Sequence, residues 1–416
     1  MEPLNTILIQ LIVILSAARL MGWIFRKMGQ PAVIGEMTAG LMLGPSLFGS
    51  LAPQLYELCF PANSFVTLNT LSRLGVWLFM FLVGVELDLS VLRKVGKTAF
   101  VISQVSIFTP LAFGALLSTY LYSEFSYPSV SPAAFALFIG AAMSITAFPV
   151  LARILKERGL TGSRLGVIAI ACAAVDDVTA WCILAMMTLL IAPELSGGLL
   201  WWNMGALIAY VATMLLGVRP LLGKWMRPWN VLNENRFAML MIFLFVSCLT
   251  TRLLGVHALF GAFLFGVVLP KEPWVIEGFY KRLEPLVAYV LLPLFFAFTG
   301  IRTDVSLVSG GHMFVVALVV LVVAVAGKFI GAIIPARMLG RSWRESAAIG
   351  TLLNTRGLME LVILNIGLEL EVLTPTLFSM MVMMALITTY MTVPMLRVIW
   401  PADVAAQAER EPLPGV

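Results

Sequence analysis

The chain has 416 residues, of which 60% are hydrophobic and only 12% are charged, and its mean hydropathy is +0.98. This composition is too apolar for a soluble domain of any class, so it indicates a protein that crosses a membrane several times. The net charge is +5, and its distribution along the chain is informative about orientation.

Apolar runs of roughly 20 residues, the length that crosses a hydrocarbon core as a helix, recur from one end of the chain to the other. They predict an all-α polytopic membrane protein with about thirteen membrane-spanning helices, here called spans 1 to 13. The second and the ninth look short or broken. The predicted ranges are 5–24, 31–47, 65–86, 98–121, 133–156, 165–191, 200–219, 237–254, 257–270, 285–301, 313–335, 345–367 and 374–398.

The first apolar run is expected to remain as span 1, because Glu2 stands where a cleaved signal would have basic residues. Basic residues concentrate in alternate connections, namely those after spans 1, 3, 5, 7, 9 and 11 and after span 13. By the positive-inside rule, the N-terminus is outside and the C-terminus is cytoplasmic in the inner (plasma) membrane, which requires an odd number of spans. The net charge therefore reflects topology, and no nucleic-acid partner is expected.

Two sequence echoes predict an internal repeat. LFMFLVGVELDLS, residues 78–90, resembles LFFAFTGIRTDVS, residues 294–306, and a pair of glycines in span 2, Gly35 and Gly40, is echoed by Gly261 and Gly266 in span 9. Both echoes join helices seven spans apart, so the partners cross the membrane in opposite directions, as in inverted repeats. The alternative is chance similarity between apolar strings. The predicted organisation is a first repeat over 1–191, a linking helix over 200–219, a second repeat over 237–398 and a short cytoplasmic tail over 399–416.

The repeat places two interrupted helices at equivalent positions. Span 5 contains AAMSITAFPVLARIL, in which Pro149 lacks a backbone donor and Thr146 offers a hydroxyl, and span 12 contains LLNTRGLMEL, with polar residues and a glycine over 354–357. Unwound backbone at membrane depth requires a protein or watery surrounding, so the two breaks are expected to face each other near the midplane. A simple proline kink is the alternative for span 5. A structural ion pair between Arg356 and Glu360, four residues apart, is the alternative for Arg356.

Two adjacent aspartates, Asp176 and Asp177, lie in span 6 within a run that has no other charge between Arg164 and Glu194. Burying each ionised aspartate costs on the order of 3 kcal/mol, so a compensating charge is expected. Lys328 in span 11 is the candidate partner, although a lysine that snorkels to the interface is an alternative. Adjacent helical residues project about 100° apart, so the economical arrangement pairs Lys328 with Asp176 and leaves Asp177 as the ion ligand.

Two close carboxylates in a region of low dielectric resist full ionisation. Such a site can hold a proton or a hard monovalent cation, but hardly both, and alternating access would convert this exclusion into proton/cation antiport. The chain has no nucleotide-binding loop, and its four cysteines show no paired spacing. An ion gradient is therefore the expected driving force, no cofactor is expected, and the protein is predicted to be a transporter and not an enzyme.

The chain resembles the monovalent cation:proton antiporter superfamily, in the branch that includes bacterial sodium and potassium antiporters and plant cation/proton exchangers. The resemblance covers nearly the whole chain, through the motifs PAVIGEMTAGLMLGP, SITAFPVLARIL, AVDDVTAW, GVHALFGAFLFGVVLP, FAFTGIRTDVS and NTRGLMELVILNIGLE. It implies an elevator-type antiporter fold, in which a mobile core domain with two crossed broken helices is held by a dimerisation domain. It also implies a homodimer embedded in membrane lipid.

The resemblance also assigns residues to roles. The family's ion-binding aspartate falls on Asp177, its preceding partner on Asp176 and its core lysine on Lys328. The family's broken-helix residues fall on Thr146 and on 354–357, so that Thr146 and Asn354 join the two aspartates as ion-binding residues. Lys328, Arg356 and Glu360 are the expected charge-compensating residues of the core.

Asp176 departs from the plant-like pattern, which usually has asparagine at this position. In the wider family, an Asp-Asp pair together with the lysine goes with electrogenic exchange, so electrogenic exchange of Na⁺ or K⁺ for protons is expected, with the cation undecided. No nucleotide-binding domain of the kind that potassium-efflux relatives carry is expected after the last span. An organic-anion/sodium symporter on the same fold is the main alternative. An intramembrane aspartyl protease is less consistent with the sequence, because it would need its two aspartates on different helices. A channel is the third alternative, and its conductance would be far above the turnover of a transporter.

Overall fold

The structure is a computed structural model that describes residues 3–87, 97–191 and 200–401. These residues form α-helices joined by turns, short π-helical segments and short 3-10 segments, without a β-strand in the described part. The α-helices are α1 (Pro3–Lys27), α2 (Ala32–Met42), α3 (Pro53–Cys59), α4 (Phe65–Glu86), α5 (Lys97–Phe125), α6 (Pro132–Ser144), α7 (Phe148–Glu157), α8 (Arg164–Ile191), α9 (Leu200–Ala212), α10 (Arg219–Met226), α11 (Glu234–Leu253), α12 (Ala258–Val268), α13 (Pro273–Leu286), α14 (Leu292–Ile301), α15 (Gly311–Met338), α16 (Trp343–Leu353), α17 (Leu358–Glu369) and α18 (Pro375–Ile399).

Every predicted span overlaps a helix, but the count of thirteen crossings is not confirmed. Among the described residues, ten helical stretches and one bent pair are long and apolar enough to cross a membrane. The helices at spans 2 and 9, α2 and α12, have 11 residues each. At about 1.5 Å per residue, each is well short of a hydrocarbon core of roughly 30 Å. A proline lies at one end of each helix: Pro31 precedes α2, and Pro270 follows α12 by two residues.

The chain divides by its internal contacts into two compact units. Unit 1 comprises residues 1–18, 48–90 and 185–298, and unit 2 comprises residues 19–47, 91–184 and 299–416. Each unit takes segments from both predicted repeats, and the inverted repeat itself stays a prediction. Parts of the predicted organisation lie outside the described residues: residues 1–2 and 88–96 of the first repeat, including positions 88–90 of the first echo, the connection over 192–199, and residues 402–416 of the tail.

Within unit 1, α4 and α12 cross so closely that a side chain larger than glycine would not fit at the crossing. A Cβ atom on Gly84 would clash with the Phe263 carbonyl, and one on Gly266 would clash with the Phe81 carbonyl. Near this crossing, Lys271 Nζ donates to the carbonyl oxygens of Gly84 at 2.7 Å and Gly266 at 2.9 Å. The lysine therefore supplies a donor to carbonyls in the last turns of the two helices, where acceptors outnumber backbone donors.

Within unit 2, two glycines bring α15 close to α5. A Cβ atom on Gly327 would lie 2.8 Å from Pro110 Cα, and one on Gly331 would lie 2.8 Å from the Val105 carbonyl oxygen. Small residues four apart permit such close approach of membrane helices. Lys328 follows the first of these glycines, so the close packing directs a lysine into the interior of unit 2.

Candidate functional site

The two predicted helix breaks are present, and they meet inside unit 2. The first separates α6 from α7 over residues 145–147, and the second separates α16 from α17 over residues 354–357, with a bend of 45°. The Ala147 N–H donates to the Thr355 carbonyl at 2.9 Å, and Thr146 Oγ1 lies 3.0 Å from the Leu353 carbonyl oxygen. Each interrupted backbone thus supplies hydrogen-bond partners to the other, which a simple proline kink would not require.

Asp176, Thr146 and Lys328 form one fully buried cluster in unit 2. Lys328 Nζ lies 3.4 Å from Asp176 Oδ2 and donates to Thr146 Oγ1 at 2.7 Å. Thr146 Oγ1 lies 2.6 Å from Asp176 Oδ2. Because the lysine side chain is 0% exposed, the structure excludes the snorkelling alternative. The threonine hydroxyl accepts from the ammonium group and can donate to the carboxylate.

Two serines of α5 also contact Asp176, and sequence reasoning missed both. Ser103 Oγ donates to Asp176 Oδ1 at 2.5 Å, and Ser106 Oγ lies 3.5 Å from Oδ2. Their spacing of three residues in a long apolar helix places them on one face and was the available signal. That signal is weak, because a helical serine can satisfy its hydroxyl on its own backbone, as Ser106 does on the Ser103 carbonyl at 2.9 Å.

We expect Ser103→Ala to lower stability, because Asp176 would lose a buried donor. Hydrogen bonds to charged groups contribute about 1.5–3 kcal/mol, and the loss should appear as a lower thermal unfolding temperature in detergent. Ser118→Ala is the matched control, since Ser118 is buried in the same helix and donates to the Ala115 carbonyl. Equal stability of the two variants would contradict a specific contribution of Ser103.

Asp177 is 2% exposed, yet its surroundings differ from those of Asp176. Its Oδ1 atom has no hydrogen-bond partner among the described residues, and neither does Oδ1 of the buried Asn354. The backbone N–H of Phe148, at the start of α7, interacts with the Asp177 carboxylate. Asp176 is therefore surrounded by hydroxyl and ammonium donors, whereas Asp177 keeps a buried oxygen atom without a protein donor. Oxygen atoms of this kind are the ligands that hard cations take.

Arg356 and Glu360 form a second fully buried pair, with Nη1 and Oε2 3.2 Å apart. The Arg356 guanidinium also donates to the carbonyl oxygens of Ala142 at 3.1 Å and Met143 at 2.7 Å. These carbonyls belong to the last turn of α6, where a helix leaves acceptors unpaired and favours positive charge. The pair therefore has the geometry of the structural ion pair that is the alternative role for Arg356. Through Glu360 of α17 and the carbonyls at the end of α6, it also connects α17 to the first break.

Comparisons with known proteins identify the family of this chain. The family model described as "Sodium/hydrogen exchanger, transmembrane" matches residues 14–400. The chain is 42% identical over 405 residues to the Na(+)/H(+) antiporter NhaS4 of Synechocystis sp., covering 96% of this chain and 98% of that protein. It is 37% identical to Cation/H(+) antiporter 20 of Arabidopsis thaliana and 32% identical to K(+)/H(+) antiporter 1 of Saccharomyces cerevisiae. Each alignment covers 96% of this chain but only 49% and 47% of those two proteins, respectively.

A solved structure has the same fold. The sodium proton antiporter MjNhaP1 from Methanocaldococcus jannaschii matches with a TM-score of 0.68, covering 99% of this chain and 100% of that one. At 17% sequence identity, this match speaks for the architecture alone, and it agrees with the antiporter fold that the resemblance implies. The family model and the identity to NhaS4 together establish that this chain belongs to the transmembrane sodium/hydrogen exchanger family.

Proposed function

We propose that this protein exchanges a monovalent cation, Na⁺ or K⁺, for protons across a membrane, and that the two ions compete at Asp177. The observation that carries the proposal is the contrast between two adjacent buried aspartates: Asp176 accepts from several donors, and Asp177 Oδ1 has none in the described part of the chain. The names of the relatives, among them Na⁺/H⁺ and K⁺/H⁺ antiporters, support the same activity.

Charge explains the competition. A buried carboxylate is costly when it is ionised and unpaired, so Asp177 is neutralised either by a proton or by a bound cation. Asn354 contributes an uncharged oxygen ligand from the second break, and Thr146 belongs to both the break and the Asp176 cluster. Asp176 pairs with Lys328 when it is ionised, and it gives up that pair when it takes up a proton. Because the Asp177 carboxylate binds both ions, a cation or proton that binds from either side of the membrane displaces the other ion.

The wider setting is also part of the proposal. The protein works as a homodimer surrounded by lipid in the inner (plasma) membrane, with its N-terminus outside and its C-terminus in the cytoplasm. It is a transporter and not an enzyme. The two inverted repeats over 1–191 and 237–398 would allow the site to face each side in turn by an elevator movement. The distribution of basic residues supports the orientation, and the family resemblance supports the dimer.

Proteoliposome flux tests the activity directly. With the purified protein in liposomes that carry an imposed pH gradient, we expect proton movement that requires external Na⁺ or K⁺ and runs opposite to the cation. Liposomes without protein are the control. An organic-anion symporter, the alternative on the same fold, would instead move an anion together with sodium and leave the pH gradient unused. That result would overturn the proposal.

We further propose that exchange is electrogenic, because two acids at the site allow more than one proton to exchange per cation. Flux of Na⁺ should then respond to membrane potential, at about 2.3 kcal/mol per charge per 100 mV. In Asp176→Asn only Asp177 can exchange a proton, so one proton exchanges for one cation. Any remaining exchange should then be independent of the membrane potential. The measurement is Na⁺ flux in liposomes that valinomycin clamps at two potentials. Potential-independent flux in the wild type would contradict electrogenic exchange.

A further inference from the structure

A threonine of α18 bonds to the unwound backbone between α16 and α17. Thr389 Oγ1 accepts from the Arg356 N–H at 2.9 Å and donates to the Arg356 carbonyl at 2.7 Å. The same hydroxyl lies 2.9 Å from the Ala385 carbonyl oxygen in its own helix, and the side chain is 0% exposed. One hydroxyl thus serves both the backbone donor and the backbone acceptor of a residue in the break.

This contact matters because the second break is fully buried. A helix interior would pair both backbone groups of Arg356 within the helix, and backbone groups in a membrane interior need hydrogen-bond partners within the protein. The first break contacts the two residues that flank Asn354: the Ala147 N–H donates to the Thr355 carbonyl, and Thr146 Oγ1 lies 3.0 Å from the carbonyl oxygen of Leu353, the last residue of α16. Asn354 lies between these supported positions, so the Thr389 hydroxyl helps to determine where the Asn354 side chain is held.

We propose that Thr389 is a positioning residue of the exchange site: it holds the break in the conformation that presents Asn354 to the cation. Thr389 is not assigned a contact with the ion itself. The inference rests on the proposed function, because it gives Asn354 a role in cation binding. It predicts that loss of the hydroxyl lets the break leave its binding-competent conformation for part of the time.

The same helix offers two matched controls. Thr388 and Thr392 are each 0% exposed, and their hydroxyls donate inside α18, to Met384 O at 2.8 Å and to Thr388 O at 3.0 Å, respectively. Valine has nearly the shape of threonine without its hydroxyl. Thr388→Val and Thr392→Val therefore remove a buried hydroxyl from α18 without removing a bond to the break, and Thr389→Val removes that bond.

The experiment measures cation-dependent exchange in proteoliposomes with Na⁺ and K⁺ as the probes. A site that is competent for a fraction of the time has its apparent affinity reduced by that fraction. We expect the KM for the cation to rise about tenfold in Thr389→Val, equivalent to about 1.4 kcal/mol, with a smaller change in the rate at saturating cation. Thr389→Ser, which keeps the hydroxyl, and the two control variants should have the KM of the wild type.

The KM separates positioning from general damage, since a smaller folded fraction lowers the maximal rate without changing the KM. A wild-type KM in Thr389→Val would overturn the inference, as would equal KM increases in all three valine variants. If Thr389→Val does not fold, Thr389→Cys replaces it, because a thiol is a weaker hydrogen-bonding group, and a KM equal to that of Thr389→Ser would count against the role. Wild-type protein without exchange would overturn the proposed function and this inference together, whereas active wild type with an unchanged variant KM overturns this inference alone.

Discussion

Replacing Asp177 by asparagine is expected to abolish cation/proton exchange and to leave a folded protein in the membrane. Asparagine has nearly the same shape but carries neither the charge that binds a cation nor the titratable proton. Asp177 is buried, and the described residues include no ion-pair partner for it. Removing its charge therefore removes a desolvation cost, and thermal stability should not fall. Proteoliposome flux and thermal unfolding in detergent measure the two effects.

Asp177→Glu is the matched control for this experiment. It keeps the carboxylate and moves it by one methylene group, so reduced but measurable exchange is expected. Substantial exchange by Asp177→Asn would remove Asp177 as the shared ligand and would direct attention to Asp176. Loss of folded protein in Asp177→Asn would contradict the view that the charge at this position serves transport and not stability.

Replacing Lys328 by alanine is expected to destabilise the protein by about 3–5 kcal/mol, the typical cost of breaking a buried ion pair. Both members of the pair are 0% exposed. The variant leaves Asp176 as a buried charge with two hydroxyl donors alone, those of Ser103 and Thr146. Adding Asp176→Asn removes that charge, so the double variant should recover part of the lost stability. Unfolding measurements on the two single variants and the double variant form the cycle.

An exposed lysine–glutamate ion pair provides the control for the stability of Lys328→Ala. Lys281 and Glu277 are 3.0 Å apart on α13, with side chains 76% and 64% exposed. Exposed pairs contribute about 0–1 kcal/mol, so Lys281→Ala should change stability little. The pairing of Asp176 with Lys328 would be refuted by a Lys328→Ala variant as stable as Lys281→Ala. A double variant no more stable than Lys328→Ala would also count against it.

Local signals in the sequence were enough to predict most of the helices and the polar positions of the core. The predicted span 65–86 coincides with α4, because a long apolar run has about the length that a helix needs to cross the membrane. Pro149 and the polar run 354–357 revealed the two breaks, since each interrupts an apolar segment. Charge in an apolar run is costly enough that Asp176 and Lys328 stood out as partners although they lie 152 residues apart.

Helix packing decided what the sequence left open. The sequence alone did not reveal that Ser103 donates to an aspartate 73 residues away, or that Thr389 serves a backbone 33 residues away. Serine and threonine can satisfy their hydroxyls on their own helix, so their presence carries no indication of a distant partner. Which of their possible acceptors they use depends on how each helix is rotated and how closely its neighbours approach, as the glycines at 327 and 331 allow for α5 and α15. By its sequence, the chain determines where charge and unwound backbone occur in apolar segments, and only the packed structure determines which groups compensate them.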